Sequence, residues 1–390
     1  MKTIPWGSVC RLNYGKALRE YAKEPSENEP ICVYGTNGPI GWTKQPLSPR
    51  SGLIIGRKGA YRGVHFSANP FFVIDTAYYL ELLTPEIDLR WAYYNLLTVD
   101  INQMDVGAAI PTTSRDQFYA LKISYPPLTE QLNVVNILSA YDQLIENNCR
   151  RIVLLEEGER QLYREWFVRL GFPGYEHTSI VNGVPDSWHK VQLGEITTKI
   201  GSGFTPRGGD SIYETAGVPL IRSQNVYDDA FHEAGLAYLS DEDAAALAGV
   251  TVEVRDILLN ITGASVGRCC MAPERYVPAR VNQHVMIIRV DPKKASPFLV
   301  HRAINNDEQK RLLLSYAQKG STREALTKEM ISRFEITLPT ATLMRQFGEI
   351  AATYFRQREI LRQENEKLRL ARDLLLPRLM GRKVALVTKT

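Results

Sequence analysis

Apolar positions divide the chain into two blocks of short-period character, each running into a long stretch with heptad spacing. After Pro126-Pro127, positions Val134, Leu138, Tyr141, Ile145, Asn148, Ile152, Leu155, Glu159, Leu162 and Trp166 alternate spacings of four and three, the seam of a coiled coil. Asn148 and Glu159 break its apolar character. After Pro339 the spacing returns in Phe347, Ile350, Tyr354, Gln357, Leu361, Glu364, Leu368, Ala371 and Leu375, interrupted by Gln357 and Glu364. No proline falls inside either stretch before Pro377, and Gly171 with Pro173 stops the first. Each predicts a helix of about 40 residues, roughly 60 Å long at about 1.5 Å per residue. So narrow a seam suits a helical partner better than a broad core. The two helices are therefore expected to pair antiparallel within the chain, with a globular block at either end of a rod and the polar positions fixing register.

Within the blocks, Gly52-Leu53-Ile54-Ile55 and Phe71-Phe72-Val73-Ile74 read as buried strands, and Glu86 to Val99 reads as helical. The blocks also repeat each other. Trp6 and Val9 match Trp188 and Val191. Leu53-Ile54-Ile55 and Gly59-Ala60-x-x-Gly63 match Ile257-Leu258-Leu259 and Gly263-Ala264-x-x-Gly267. Gly107, Ile123 and Pro126 match Gly320, Ile336 and Pro339. Ordered anchors followed by the same helix imply a duplication, with insertions in the second copy placed in surface loops. The period is too long for a solenoid, so each copy is a domain. The expected organisation is a mixed α/β (α+β) fold: a domain over 1–125, a helical spacer over 126–172, a second domain over 173–338 and a second helical spacer over 339–385.

Composition bounds this picture. A chain of 390 residues, 44% of them hydrophobic, can give each domain its own core. A net charge of +4, from 47 Lys+Arg against 43 Asp+Glu, is compatible with nucleic acid without requiring it. The start, MKTIPWGSVCRLNYG, lacks the apolar core of a signal peptide, and no apolar run approaches a membrane span, so a cytoplasmic chain without membrane contact is expected. Five cysteines without a C-x-x-C pair read as reduced thiols, and six histidines show no metal spacing.

The candidate chemistry lies in loops. Gly56-Arg57-Lys58-Gly59-Ala60-Tyr61-Arg62-Gly63 joins glycine, base and aromatic, but lacks the Gly-Lys-Ser/Thr ending of a phosphate loop. Tyr34 to Trp42 reads as a second glycine-rich loop, carrying Asn37, with Lys44 just beyond. In the second block, Gly201 to Arg207 reads as a flexible loop, Pro219 to Asn225 ends a strand in Arg222, Gln224 and Asn225, and Asn260 to Arg268 brings Thr262, Ser265 and Arg268 to the place of the first basic loop. Arginine bonds guanine, and Asn or Gln bonds adenine, through paired hydrogen bonds. Each such residue alone is an ordinary surface group; their recurrence at the same place in both copies makes them a candidate DNA-reading set.

On these features the chain resembles, over nearly its whole length, the specificity subunit of a type I DNA restriction and modification system. The resemblance rests on the tandem blocks, the two Trp-x-x-Val and two Gly-Ala-x-x-Gly motifs, the exit Ile123-Ser124-Tyr125-Pro126-Pro127-Leu128-Thr129-Glu130-Gln131 with its heptad helix, and the junction Glu165 to Gly174. The second exit, Leu338 to Gln346, departs from the first by two extra residues and Arg345 in place of Glu, which blurs where its helix starts. The resemblance implies a target-recognition domain in each half, each reading one half of a split double-stranded DNA site, with the helices setting the gap. It implies methylation subunits, carrying S-adenosylmethionine, docked on the helices, and a restriction and motor subunit joining for cleavage. No cofactor is expected in this chain itself. A self-contained methyltransferase or nuclease is the rival reading. Against it, Ser124-Tyr125-Pro126-Pro127 lacks the Asn or Asp that holds an adenine amine, and Glu308-Gln309-Lys310 has no paired acid and reads as solvated charge. A coiled-coil protein scaffold is the third. The expectation is a non-catalytic recognition subunit.

Overall fold

The computed structural model describes residues 2–104, 110–204, 209–318 and 325–381. Gly107, Gly320 and Arg207 lie outside the described residues. The chain divides into two compact units, Met1–Asn147 with Glu364–Thr390, and Asn148–Gln363. The spacer segments anticipated from sequence are thus not bodies of their own: each long helix gives part of its length to each unit.

In the first unit, Lys2–Pro5 pairs antiparallel with the exit strand Lys122–Tyr125. A four-stranded antiparallel sheet runs in the order Cys10–Tyr14, Ala77–Leu82, Gly52–Gly56, Val64–Ser67. A three-stranded sheet joins the hairpin Ile31–Gly35/Gly38–Thr43 to Phe71–Val73, which runs parallel to Ile31–Gly35. Tyr34 to Trp42 is therefore a hairpin with a turn at Thr36-Asn37, not a glycine-rich loop. Helix Leu89–Leu97 is capped by Asp88, whose carboxylate accepts from the N–H groups of Arg90 and Trp91 at 2.9 Å. Trp6, Leu53, Ile55, Trp91, Phe118 and Ile123 form the core together with Val134 and Leu138 from the first long helix and Leu376 and Leu379 from the second.

The second unit repeats this plan. His189–Gln192 pairs with the exit strand Glu335–Leu338. Thr197–Ser202, Val285–Val290, Ile257–Asn260 and Cys269–Met271 form the four-stranded sheet, while Ala237–Leu239, Val218–Ile221, Ala279–Val281 and Thr251–Val252 form the other, again with one parallel pair. Ile55 lies between Val64 and Tyr78 in register, and Leu259 between Cys269 and Met286, so the aliphatic anchor of the repeat is structural. The tryptophan anchor is not. Trp6 follows the first strand and donates its N–H to Leu121 O at 2.8 Å, whereas the matching bond in the second unit runs from Leu193 N to Phe334 O at 2.9 Å. Trp188 precedes its strand and packs on Phe167 and Phe172; a buried tryptophan recurs at a different place.

The first long helix, Leu128–Tyr163, passes into a π turn at Arg164–Val168; the second is Ala341–Met380. Both begin two residues after their exit strands, so the second exit carries no insertion. Gln131 explains the first exit: fully buried, it donates to Glu86 O and Pro126 O and accepts from Asp88 N, all at 2.8 Å. The helices pair antiparallel. In the first unit Arg372 donates to Asp142 at 2.7 Å; in the second Arg358 donates to Glu159 at 2.7 Å and Arg362 to Glu156 at 2.9 Å. Among the described residues no helix is long and apolar enough to cross a membrane.

Candidate nucleic-acid interface

In the first unit, strand Gly52–Gly56 leaves its sheet into the basic loop, which closes when Gly56 N donates to Gly63 O at 2.8 Å. Gly63 N then donates to Thr36 O at 3.0 Å, laying the loop against the hairpin turn. A Cβ on Gly56 would fall 2.3 Å from Thr36 O, so this close approach requires glycine. Tyr61 stands at the loop tip, 80% exposed. Asn37 in the adjoining turn and Lys44 after the hairpin are also exposed. Lys58 lies 3.8 Å from Asp75 in a surface pair, which leaves it available for another anion.

Arg57 donates to Asp75 O at 3.1 Å, and its guanidinium lies 4.8 Å from the centre of the Tyr14 ring. The guanidinium of Arg115 lies 4.9 Å from the same ring. Among the described residues neither cation meets a carboxylate within ion-pair distance, so two like charges share one half-exposed aromatic ring. Sequence reasoning missed Tyr14 and Arg115, because nothing local marks an arginine far along the chain as the neighbour of Arg57. Arg62 is a correction. It is 3% exposed and donates to Gly59 O, Ile101 O and Asn102 O, so it braces the loop from within and has no free edge for DNA.

The second unit places its counterpart loop at the same strand end. Asn260 N donates to Arg268 O, and Gly267 N to Asn260 O, both at 2.8 Å. Gly263 and Gly267 have φ of +72° and +84°, the left-handed region glycine tolerates. Asn260 Nδ2 donates to Ser223 O at 2.9 Å, joining this loop to the segment that follows Val218–Ile221. Arg268 lies 4.4 Å from the centre of the Tyr227 ring, which itself stacks on His232 at 3.9 Å and 19°. Thr262 Oγ1 is hydrogen-bonded to His284 Nδ1 at 2.6 Å, and Ser265 closes the short turn Gly263–Ser265, half-buried. Arg222 and the exposed Gln224 both donate to Gly235 O, at 2.6 and 3.0 Å, which holds the two side chains at one carbonyl. Asn225 is a second correction. Fully buried, it donates to His232 O at 2.8 Å and accepts from Arg222 N at 3.0 Å, so its amide is spent on shaping the loop. Arg207 lies outside the described residues.

Each unit thus carries the same pair of adjoining loops at equivalent strand ends, offering amide and guanidinium donors beside aromatic rings. Such a surface can bond phosphates and base edges. Among the described residues there is no His/Cys/Asp/Glu group arranged to hold a metal.

The sequence profile described as "Type I restriction modification DNA specificity domain" matches residues 1–157 and 185–370. The chain belongs to this family. It is 24% identical to the putative type I restriction enzyme MjaX specificity subunit of Methanocaldococcus jannaschii, over 80% of this chain and 69% of that one. With the MjaVIII specificity subunit of the same organism it shares 23% identity, over 87% of this chain and 81% of the other. Its fold is that of a solved type I restriction-modification S subunit from M. genitalium, with a TM-score of 0.64, 18% identity, and 97% and 95% of the two chains covered. The specificity subunit is the DNA-recognising, non-catalytic component of its system.

Proposed function

We propose that each unit of this specificity subunit reads one half of a bipartite double-stranded DNA site, that the long helices set the gap, and that methylation subunits carrying S-adenosylmethionine dock on those helices. A restriction and motor subunit would join the same assembly for cleavage. One observation carries this reading: the same two loops recur at equivalent strand ends of two duplicated units, although the residues in them differ. A duplicated frame with divergent donors suits two different half-sequences.

Methylome sequencing of cells expressing the chain with its methylation partners tests it. Lys58→Ala with Tyr61→Ala should relax or weaken one half of the methylated motif. Gln224→Ala with Arg268→Ala should affect only the other half, each lost paired base contact costing about 1 to 3 kcal/mol. A motif altered equally in both halves by either pair would overturn the division of labour.

A further inference from the structure

The hairpin Val226–Tyr227/Ala230–Phe231 has no counterpart in the first unit, where the equivalent connection is the two-residue turn Thr36-Asn37. In its acidic turn, Asp228 is exposed and Asp229 points inward. Asp229 adopts a φ of +60°, and its side chain is 6% exposed. Its Oδ1 accepts from Arg302 and from Asn305 Nδ2, the latter at 2.8 Å, while Oδ2 accepts from Arg160 Nε at 3.2 Å. Asp228 meets Lys310 and accepts from Cys269 N at 3.0 Å. Arg160 belongs to the first long helix, Arg302 and Asn305 to helix Pro297–Asn305, and Lys310 to helix Asp307–Gln318.

At its other side the same hairpin supports the reading loops. Tyr227 carries the Arg268 guanidinium, and Asn225, just ahead of it, fixes the backbone of Arg222. Left-handed backbone at a non-glycine residue and a carboxylate taken out of water both cost free energy. Here two guanidiniums and an amide offset that cost, and they do so in only one arrangement of the hairpin and the two helices they come from.

We propose that Asp229 is a positioning residue for DNA reading by the second unit: the hairpin is a strut that fixes the Arg222, Gln224 and Arg268 donors relative to the first long helix. This rests on the reading that the second unit recognises a half-site. The strut makes discrimination at that half-site depend on an ion cluster that touches no DNA.

The test uses the full complex with its methylation partners. Equilibrium competition compares the cognate duplex with duplexes carrying one substitution in the first or the second half-site. Two variants are measured: Asp229→Asn, which keeps size and removes charge, and Arg160→Gln, which removes the direct bond from the first long helix and leaves Arg302 between Asp229 and Glu159. Near-UV circular dichroism establishes that each is folded. Discrimination at the second half-site should fall about tenfold for Asp229→Asn and by a smaller factor for Arg160→Gln, with discrimination at the first unchanged. If Asp229→Asn does not fold, the smaller loss in Arg160→Gln decides. A folded variant with second-half discrimination intact overturns the strut, as does equal loss at both halves. A wild-type complex that discriminates at only one half overturns the bipartite reading itself.

Discussion

Arg57 and Arg115 lie 4.8 and 4.9 Å from the centre of the Tyr14 ring, and two guanidiniums so placed form a ready seat for an anion. Arg115→Gln should weaken binding to all DNA sequences alike and lower the slope of log affinity against log salt by about 1, because one phosphate contact is lost; a change in base preference at unchanged slope would instead make it a base contact. His301 gives a second prediction. Burial pushes its imidazole down to about 4, with Asp229 at 3.5 Å and Glu159, Arg358 and Lys310 in its surroundings. Between that value and the unfolded value near 6.5, the unfolded chain binds a proton that the folded one does not. Stability therefore rises with pH across this window and is lost on acidification. Going from pH 7 to pH 5 should cost the second unit about 2 kcal/mol through this group, and His301→Gln should flatten urea midpoints over the same range. Which candidate donors stand free at the surface was only partly legible in the sequence. Arg62 and Asn225 look like exposed donors in a string of letters, yet their hydrogen bonds are consumed by carbonyls brought near by the fold. Lys310 read as solvated charge, and the fold buries most of it against Asp228.

At the scale of elements, the heptads of the first helix were read correctly down to its two polar seam positions: Asn148 and Glu159 are 6% and 2% exposed. In the second helix Gln357 and Glu364 are exposed, and the buried polar positions are their neighbours Arg358 and Asn365, 3% and 2% exposed. The physical reason is pairing. An arginine reads as surface until an acid from another element faces it, and Glu159 receives both Arg358 at 2.7 Å and Arg302 at 3.5 Å. In the first unit the same role falls to Asp142, which takes Arg372 and, at 2.5 Å, the Tyr94 hydroxyl. Glu159→Gln leaves Arg302 with Asp229 alone and Arg358 with Glu156 at 3.9 Å, so it should destabilise the second unit by about 3 kcal/mol in urea titrations, the low end for a broken buried pair. Adding Arg358→Met, which leaves Arg302 on Asp229, should recover part of that, since apolar residues of similar volume replace buried ion pairs at little cost. Recovery of none of it would mean that Arg358 packs in a way no apolar group can imitate.

Across the whole molecule, the duplication, the mixed α/β frame and the antiparallel helices follow from pattern alone, because period and register are written locally. The partition of the chain is not local and was missed: Leu376 and Leu379 complete a core whose other members begin at Trp6. The second unit is in effect an insertion inside the first. This has a consequence for how the protein is made. A ribosome finishes Asn148–Gln363 before it supplies the helical segment that closes the N-terminal unit, so the unit synthesised first is completed last. A chain cut after Gln363 should keep a cooperatively folding second unit and lose protection in the first, visible as fast amide exchange at Trp91, Phe118 and Ile123. Slow exchange there would show that the N-terminal unit closes without the returning helix. While synthesis continues, the open core of the first unit is the surface a chaperone would have to shield.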